Sequence, residues 1–437
     1  MKTTSSKIRS EQGTVLFVTL IATAIVGAGL ASYLKLVANQ NYSVARSQAW
    51  NRAIPVLEAG IEEALAQVSK GTTALSMVAN GWALSGTNYV KTRNLTEGDR
   101  FTAKISVNVP PVVESIGYVR IPLENSYFIA RRVRVTTQGS SMFTKAMVAR
   151  GQINLNGNNI ETDSFDSGNT LYSNSGRYDV TRRRANGDVA TNSGLVNSLS
   201  VGNANIRGHV STGPGGSISI GSNGTVGDNA WNAAGNNGIQ PGYSADDMNV
   251  SFPDVVAPFA VGLPPAAGSV GGTNYNYVLA SSDYSMSSFS MSGGANNRML
   301  VTGNARLYVT GNVSLSGSSS IVIAPGARLQ LYVKGTSASL GGNGVVNGSA
   351  NATNFSYYGL PSNTSVSFSG NAAFTGTIYA PNAALSLGGG GNNTYDFVGA
   401  SVSNTVQMNG HFNFHYDELL GRLNNGGGYT VVSWNEL

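Results

Sequence analysis

The stretch "HFNFHYDELL" (411–420) holds two of only three histidines in this 437-residue chain, with Asp417 close behind. Imidazole and carboxylate at short spacing could bind a metal ion or move a proton. In a strand, His411, Asn413 and His415 share one face, and Phe412, Phe414 and Tyr416 share the other. Two imidazoles four residues apart then stand about 13 Å from each other, too far for one metal. The spacing therefore predicts a packing role: the aromatic face closes the end of a repeat structure, and Asp417 caps a short helix, "ELLGRL". On this reading His411→Ala costs little.

A carboxylate pair for glycoside chemistry is equally hard to assemble. Between residues 300 and 410 the one acidic residue is Asp396, and Asp246, Asp247 and Asp254 lie in a proline-rich stretch that reads as solvated. No GxGxxG, Walker A, GxSxG or HExxH pattern stands in a supporting context, and "LGGGGNN" (387–393) reads as a turn. With no cysteine, thiolate metal sites, disulfides and thiol nucleophiles are excluded. The expectation is a protein that is no enzyme and has no cofactor, no metal and no catalytic residue.

Charge is sparse, at 11% of residues. It is also uneven: residues 1–150 carry a net +9 and the remainder a net −4. Only the basic clusters "RRVRV" (131–135) and "RRR" (182–184) qualify for a nucleic-acid footprint, and both read as solvated strand or loop charges, so nucleic acid is disfavoured as a partner.

The elements that must position these residues fall into two textures. Thr14 to Leu34 is a 21-residue run without a charge, preceded by Lys2, Lys7, Arg9 and Glu11 and followed by Lys35. As a helix it is about 30 Å long, enough to cross a hydrocarbon core. The helical period continues through Ile54, Leu57, Ile61, Leu65 and Val68, with Pro55 expected to kink it, so one helix covers residues 14–70. Residues 71–150 read as a small antiparallel β domain with strands in "RFTAKISVNV", "VVESIGYVRI", "YFIARRVRVTT" and "FTKAMVARGQI". From Gly151 the pattern changes to short alternating apolar pairs with Gly/Asn/Ser punctuation, as in "ARLYVTG" and "SIVIAPGARLQLYVKG". The 22 residues from Leu307 to Leu329 would make one coil of a parallel β-helix, which is expected over 151–416, with a jelly roll or sandwich as the alternative. Residues 176–192 read as a protruding loop. Residues 229–298 read as a long excursion, with Phe252, Val255 and Phe259 of "FPDVVAPF" anchoring it to a flank. Residues 417–437 read as a C-terminal cap.

The basic leader (1–13), the Gly before the apolar run, the long helix and "VLEAGIEEAL" (56–65) resemble type IV pilin-like proteins, closest to PilX-like minor pilins. The resemblance implies prepilin-peptidase cleavage between Gly13 and Thr14, pilin or pseudopilin partners, and an inner-membrane span at 14–34 with the bulk periplasmic or at the cell surface. Major pilins carry Glu at the fifth mature position, and here it is Val18. The tail, with its IYAP and FVGA runs and HYD-x-x-L ending, resembles an uncharacterised bacterial β-helix domain. The expected function is a minor pilin or pseudopilin-like envelope protein that displays the β-helix as a spacer or adhesin, with surface polysaccharide as a candidate ligand. A membrane-anchored envelope protein outside any filament, or a carbohydrate-active β-helix enzyme, are the alternatives.

Overall fold

The computed structural model describes residues 11–70, 74–95, 98–108, 110–122, 127–139, 141–157, 160–369, 374–388, 395–409, 412–423 and 429–437. Residues 1–10 of the leader and His411 lie outside them, and residues 11–13 of the leader are helical. The chain is mainly β and divides into two compact units, residues 1–139 with 428–437 and residues 140–427.

The first unit is built on helix α1 (Glu11–Lys70), 60 residues that run through Pro55 as helix. The side chains described between Val15 and Leu36 are all exposed. Burial begins at Ala45 and continues through Ala49, Ala53, Val56, Leu57, Ile61, Ala64 and Val68. That stripe advances mostly by four residues and is rich in alanine, so the helix backbone can approach its partner closely. Ile54, expected on the stripe, is 36% exposed.

The partner is an antiparallel sheet of β1 (Ala83–Ser85), β2 (Asn88–Asn94), β3 (Arg100–Ser106), β4 (Val112–Arg120) and β5 (Phe128–Gly139), completed by the C-terminal strand Tyr429–Glu436. Gly117 on β4 is what the close approach requires. A Cβ there would stand 2.8 Å from both the Ala53 carbonyl oxygen and the Leu57 nitrogen. The C-terminal strand pairs with β5, and Glu436 receives both ends of the Arg131 guanidinium at 2.6 and 2.7 Å. Residues 429–437 are therefore no cap on the solenoid; antiparallel pairing along β5 gives their backbone groups partners. The fourth expected antiparallel strand also belongs elsewhere, because Met147–Ala149 pairs in parallel inside the second unit.

The second unit is a parallel β-solenoid. Leu307 lies opposite Leu331, Leu331 opposite Tyr357, and Tyr357 opposite Ile378, all facing inward. The coil is thus 24 residues at the first step, where Leu307 to Leu329 had suggested 22. The parity, and so the choice of inward face, survives a two-residue error because side chains alternate with period two. Gly335 sits where coils nearly touch: a Cβ there would clash with the Gly311 backbone in the coil below.

Coil order is not chain order. Residues 283–286, 304–309, 328–333, 355–359, 377–380 and 401–403 stack in sequence along one face. Residues 401–403 then pair with Met147–Ala149, followed by 189–191, 210–211 and 244–245. The N-terminal half of the solenoid is stacked on the end of the C-terminal half. The ten strands of this face span about 43 Å at the usual strand spacing, and residues 246–262 connect its two ends. At most 3.6 Å per residue, those 17 residues reach about 60 Å, so the segment must run extended along the face.

Its contacts follow that course. The Met248 amide donates to Thr212, Asn192 bonds both backbone groups of Val250, and Arg150 donates to the Phe252 carbonyl. Tyr379 donates to the Pro253 carbonyl, Phe259 packs edge-on against Tyr308, and Leu263 bridges to Tyr284. Phe252, Val255 and Phe259 do anchor it to the solenoid core. The expected excursion of 229–298 shrinks to this strap, since 238–245 and 266–301 contain paired strands.

Where the halves meet, Phe414 stacks on Phe397 at 4.3 Å and Phe397 on Phe374 at 4.4 Å, inside the solenoid. The strand Phe412–Asp417 lies between coils, paired with Tyr395–Gly399 on one side and Glu161–Phe165 on the other. The expectation that it closes the end of the solenoid is overturned, because a second set of coils covers it. Phe414→Ala should destabilise the solenoid by about 3–5 kcal/mol, the cost of a large cavity in a core that cannot collapse. Chemical denaturation followed by circular dichroism will measure it, and a shift under about 1 kcal/mol would refute the interior stack.

Candidate functional site

The outward face of this same seam gathers the densest set of ionisable groups described. Parallel pairing of 412–417 with 161–165 sets His415 beside Asp163. Their side chains meet at 2.5 Å between Nδ1 and Oδ1, and both are buried. Nε2 of His415 faces Asp396 Oδ1 at 3.4 Å, an ion pair without hydrogen-bond geometry. Tyr178 lies flat on the imidazole, ring centroids 3.6 Å apart, and donates to Asp163 Oδ2 at 2.6 Å.

Tyr178 comes from the segment read as a protruding loop. It does not protrude. Arg182 donates to the carbonyls of Thr170 and Ser173, Arg183 pairs with Glu161, and Arg184 pairs with Glu418 at 2.6 Å. The end of the segment, Val189–Thr191, is a solenoid strand. The three consecutive arginines are thus spent on carbonyls and carboxylates that fold the segment back over the seam, which a solvated loop reading could not foresee.

Around this centre, Asp417 accepts from the Ser167 amide and hydroxyl at 3.0 and 2.6 Å and from the Leu419 amide at 3.1 Å. Asp417 does support the turn after the strand, but that turn is a single 3-10 helix, Leu420–Arg422, rather than a covering helix. Arg422 reaches back to Asp166 at 2.6 Å. The contacts of His415 with Asp163, Arg184 with Glu418, Asp417 with Ser167 and Arg422 with Asp166 join the C-terminal half of the solenoid to the N-terminal half.

Burial by itself works against a charge on His415, but its hydrogen bond to Asp163 and the charges of Asp163 and Asp396 outweigh it and raise the pKa to about 9. The contact with His415 holds Asp396 below the usual carboxylate range against its own burial. Burial pushes Asp417 up, opposed by its three donors. Burial and the neighbouring Asp163 push the Tyr178 hydroxyl well above the ordinary tyrosine range. An imidazole protonated at both nitrogens has no lone pair with which to act as a base at neutral pH. With Asp163 fully buried and Tyr178 over the ring, the arrangement is built to hold two chain segments together.

Of the residues singled out in the sequence, Gly13 and Thr14 lie in the first turn of α1. Asp246 and Asp247 are exposed, and Asp254 pairs with Arg150 at 3.7 Å and accepts from Asn382. Among the described residues no group of His, Asp and Glu is placed to hold a metal ion. Asp163 and Tyr178 were missed, since 252 residues separate Asp163 from His415 and no local spacing links them.

A family model described as a domain of unknown function (DUF7305) matches residues 295–423. That span carries Asp396 and His415 but stops short of their N-terminal partners. No curated protein and no solved structure matches the chain.

The seam makes stability depend on pH. A pKa raised from 6.5 to about 9 stabilises the fold fully below pH 6.5, and that contribution is lost as pH rises through 9. The loss amounts to about 3 kcal/mol. His415→Gln should flatten this alkaline decline and should destabilise the protein at pH 7 by about 3–5 kcal/mol, because Asp163 stays buried without its cation. Thermal melts of both proteins from pH 6 to 10 will decide; parallel curves would show that His415 is not the titrating group.

Proposed function

We propose that the protein is held in the cell envelope by residues 14–34, in the manner of pilin-like proteins, and carries its β-solenoid outside the membrane as a spacer or adhesin. One observation carries this reading. Among the described residues one helix is long and apolar enough to span a membrane, and its side chains from Val15 to Leu36 are exposed, while its second half is fixed to an antiparallel sheet. A predominantly apolar, uncharged run of 21 residues left in water would be strongly unfavourable, so the segment calls for lipid or for the apolar core of an assembly.

The solenoid supports a display role by its construction. Its interior is a continuous apolar column, and its most charged centre is used for internal cohesion. Val18, in place of the glutamate of major pilins, favours a minor or filament-free component over a principal filament subunit.

Cleavage after Gly13 is the expected processing step. The mature protein should then begin TVLFV on N-terminal sequencing and fractionate with membranes or sheared filaments. An intact Met1 in a membrane fraction would replace the pilin-like reading with a plain anchor, and a start beyond Leu34 in a soluble fraction would overturn both.

A further inference from the structure

We propose that the solenoid face beside the strap binds an extended acidic polysaccharide, in a groove whose key contacts are Arg306, Arg328 and Gln330. The groove is open and shallow, about 570 Å³, and is lined by polar side chains of three successive coils. Asp283, Arg306 and Gln330 are register partners on adjacent strands, and Asn304 and Arg328 form a second row two residues earlier. Each row repeats at the strand spacing of about 4.8 Å along the solenoid axis. A linear polymer laid parallel to that axis would meet polar side chains of successive coils at that spacing.

The chemistry of the lining selects the polymer. Arg306 and Asp283 are locked together by two hydrogen bonds of 2.6 Å each, which fixes a planar donor–acceptor unit in the groove. Phe259 of the strap lies 5.3 Å from the Arg306 guanidinium and supports it from the strap side. The Ser281 hydroxyl is tied to the Asn304 amide at 3.0 Å, which firms the rim. The side chains of Arg328 and Gln330, by contrast, make no hydrogen bond or ion pair among the described residues. A guanidinium in that condition is a bidentate site for a carboxylate, and a free amide matches sugar hydroxyl or acetamido groups.

Fixed polar groups with one uncompensated cation fit a polyhydroxylated chain carrying intermittent carboxylates. A nucleic acid would require a row of cations to neutralise successive phosphates, and here Asp283 stands in the row instead. The groove lies within residues 140–427, so this proposal stands whether or not the helix anchors the protein.

The test uses the full-length chain in detergent micelles, titrated with hyaluronan oligosaccharides (a carboxylate on alternate sugars), with neutral dextran and with a single-stranded oligonucleotide. Saturable binding of hyaluronan is expected, with dextran much weaker. Arg328→Ala should weaken it about tenfold, the loss of one charge-assisted bidentate contact, and Arg328→Lys should restore part. Gln330→Ala should weaken it in the same direction. Both side chains lie outside the packed core, so the melting temperature of each variant should match the parent and separate lost binding from lost fold. Hyaluronan binding unchanged by Arg328→Ala, dextran bound as well as hyaluronan, or the oligonucleotide bound more tightly would each overturn the proposal.

Discussion

Parallel pairing of residues 412–417 with residues 161–165 is the constraint on which the second unit depends. Stacked coils usually follow one another along the chain, so each interface forms beside its covalent neighbour. At this seam the stacked strands come from segments about 250 residues apart, and a large loop must close before any contact is gained. The seam compensates with two kinds of interaction on its two faces. Inside, Phe374, Phe397 and Phe414 form a continuous stack; outside, His415 and Asp163 pair under Tyr178 while Arg184 and Arg422 bind carboxylates across the joint.

The same pairing dictates the strap. Once the first and last coils of the stack are residues 210–245 and 263–291, the chain between them has to cross the whole stack. Tyr308, Tyr332, Tyr358 and Tyr379 are register partners on successive strands, and of these Tyr308 meets Phe259 of the strap edge-on and Tyr379 donates to the Pro253 carbonyl. "FPDVVAPF" answers with apolar side chains and with proline, which donates no backbone hydrogen bond and keeps the chain extended. The strap also lies against Arg306 of the polar groove through Phe259, so the topology that joins the halves reaches a side chain of the surface available to a ligand.

Charge is used differently in the two units. In the first, Arg131 binds Glu436 and lies against Trp50, so a basic strand secures the C-terminal strand and the helix together. In the second, charges gather at the seam and at the groove, while the coils between are held by apolar columns and close backbone contact. The buried ion pairs favour one arrangement of strands, because a charge buried against the wrong coil would stay desolvated and unpaired. That is the service the seam needs, because an apolar column on one coil would stack on almost any other.

By itself, the sequence determined the long helix, the apolar span at 14–34, the mainly β character and the inward residues of the strands between Leu307 and Leu331. Those features come from composition and from periods of 3.6 and two residues, which act between near neighbours. The anchoring role of Phe252, Val255 and Phe259 was also legible, because apolar residues between prolines must find cover without joining a sheet. The exact coil length was not, since Leu329 and Leu331 point inward alike and only stacking chooses between them. Nor could local pattern show the alanine stripe at 45–64, which is selected by the glycine on β4 it packs against. Only the tertiary structure decided that "HFNFHYDELL" sits in mid-stack, that three arginines fold a segment over it, and that His415 carries a charge. The mid-stack position, the Arg184–Glu418 pair and the His415–Asp163 contact depend on partners 234 residues away or more, and pairing energy between distant segments leaves no periodic trace in the chain.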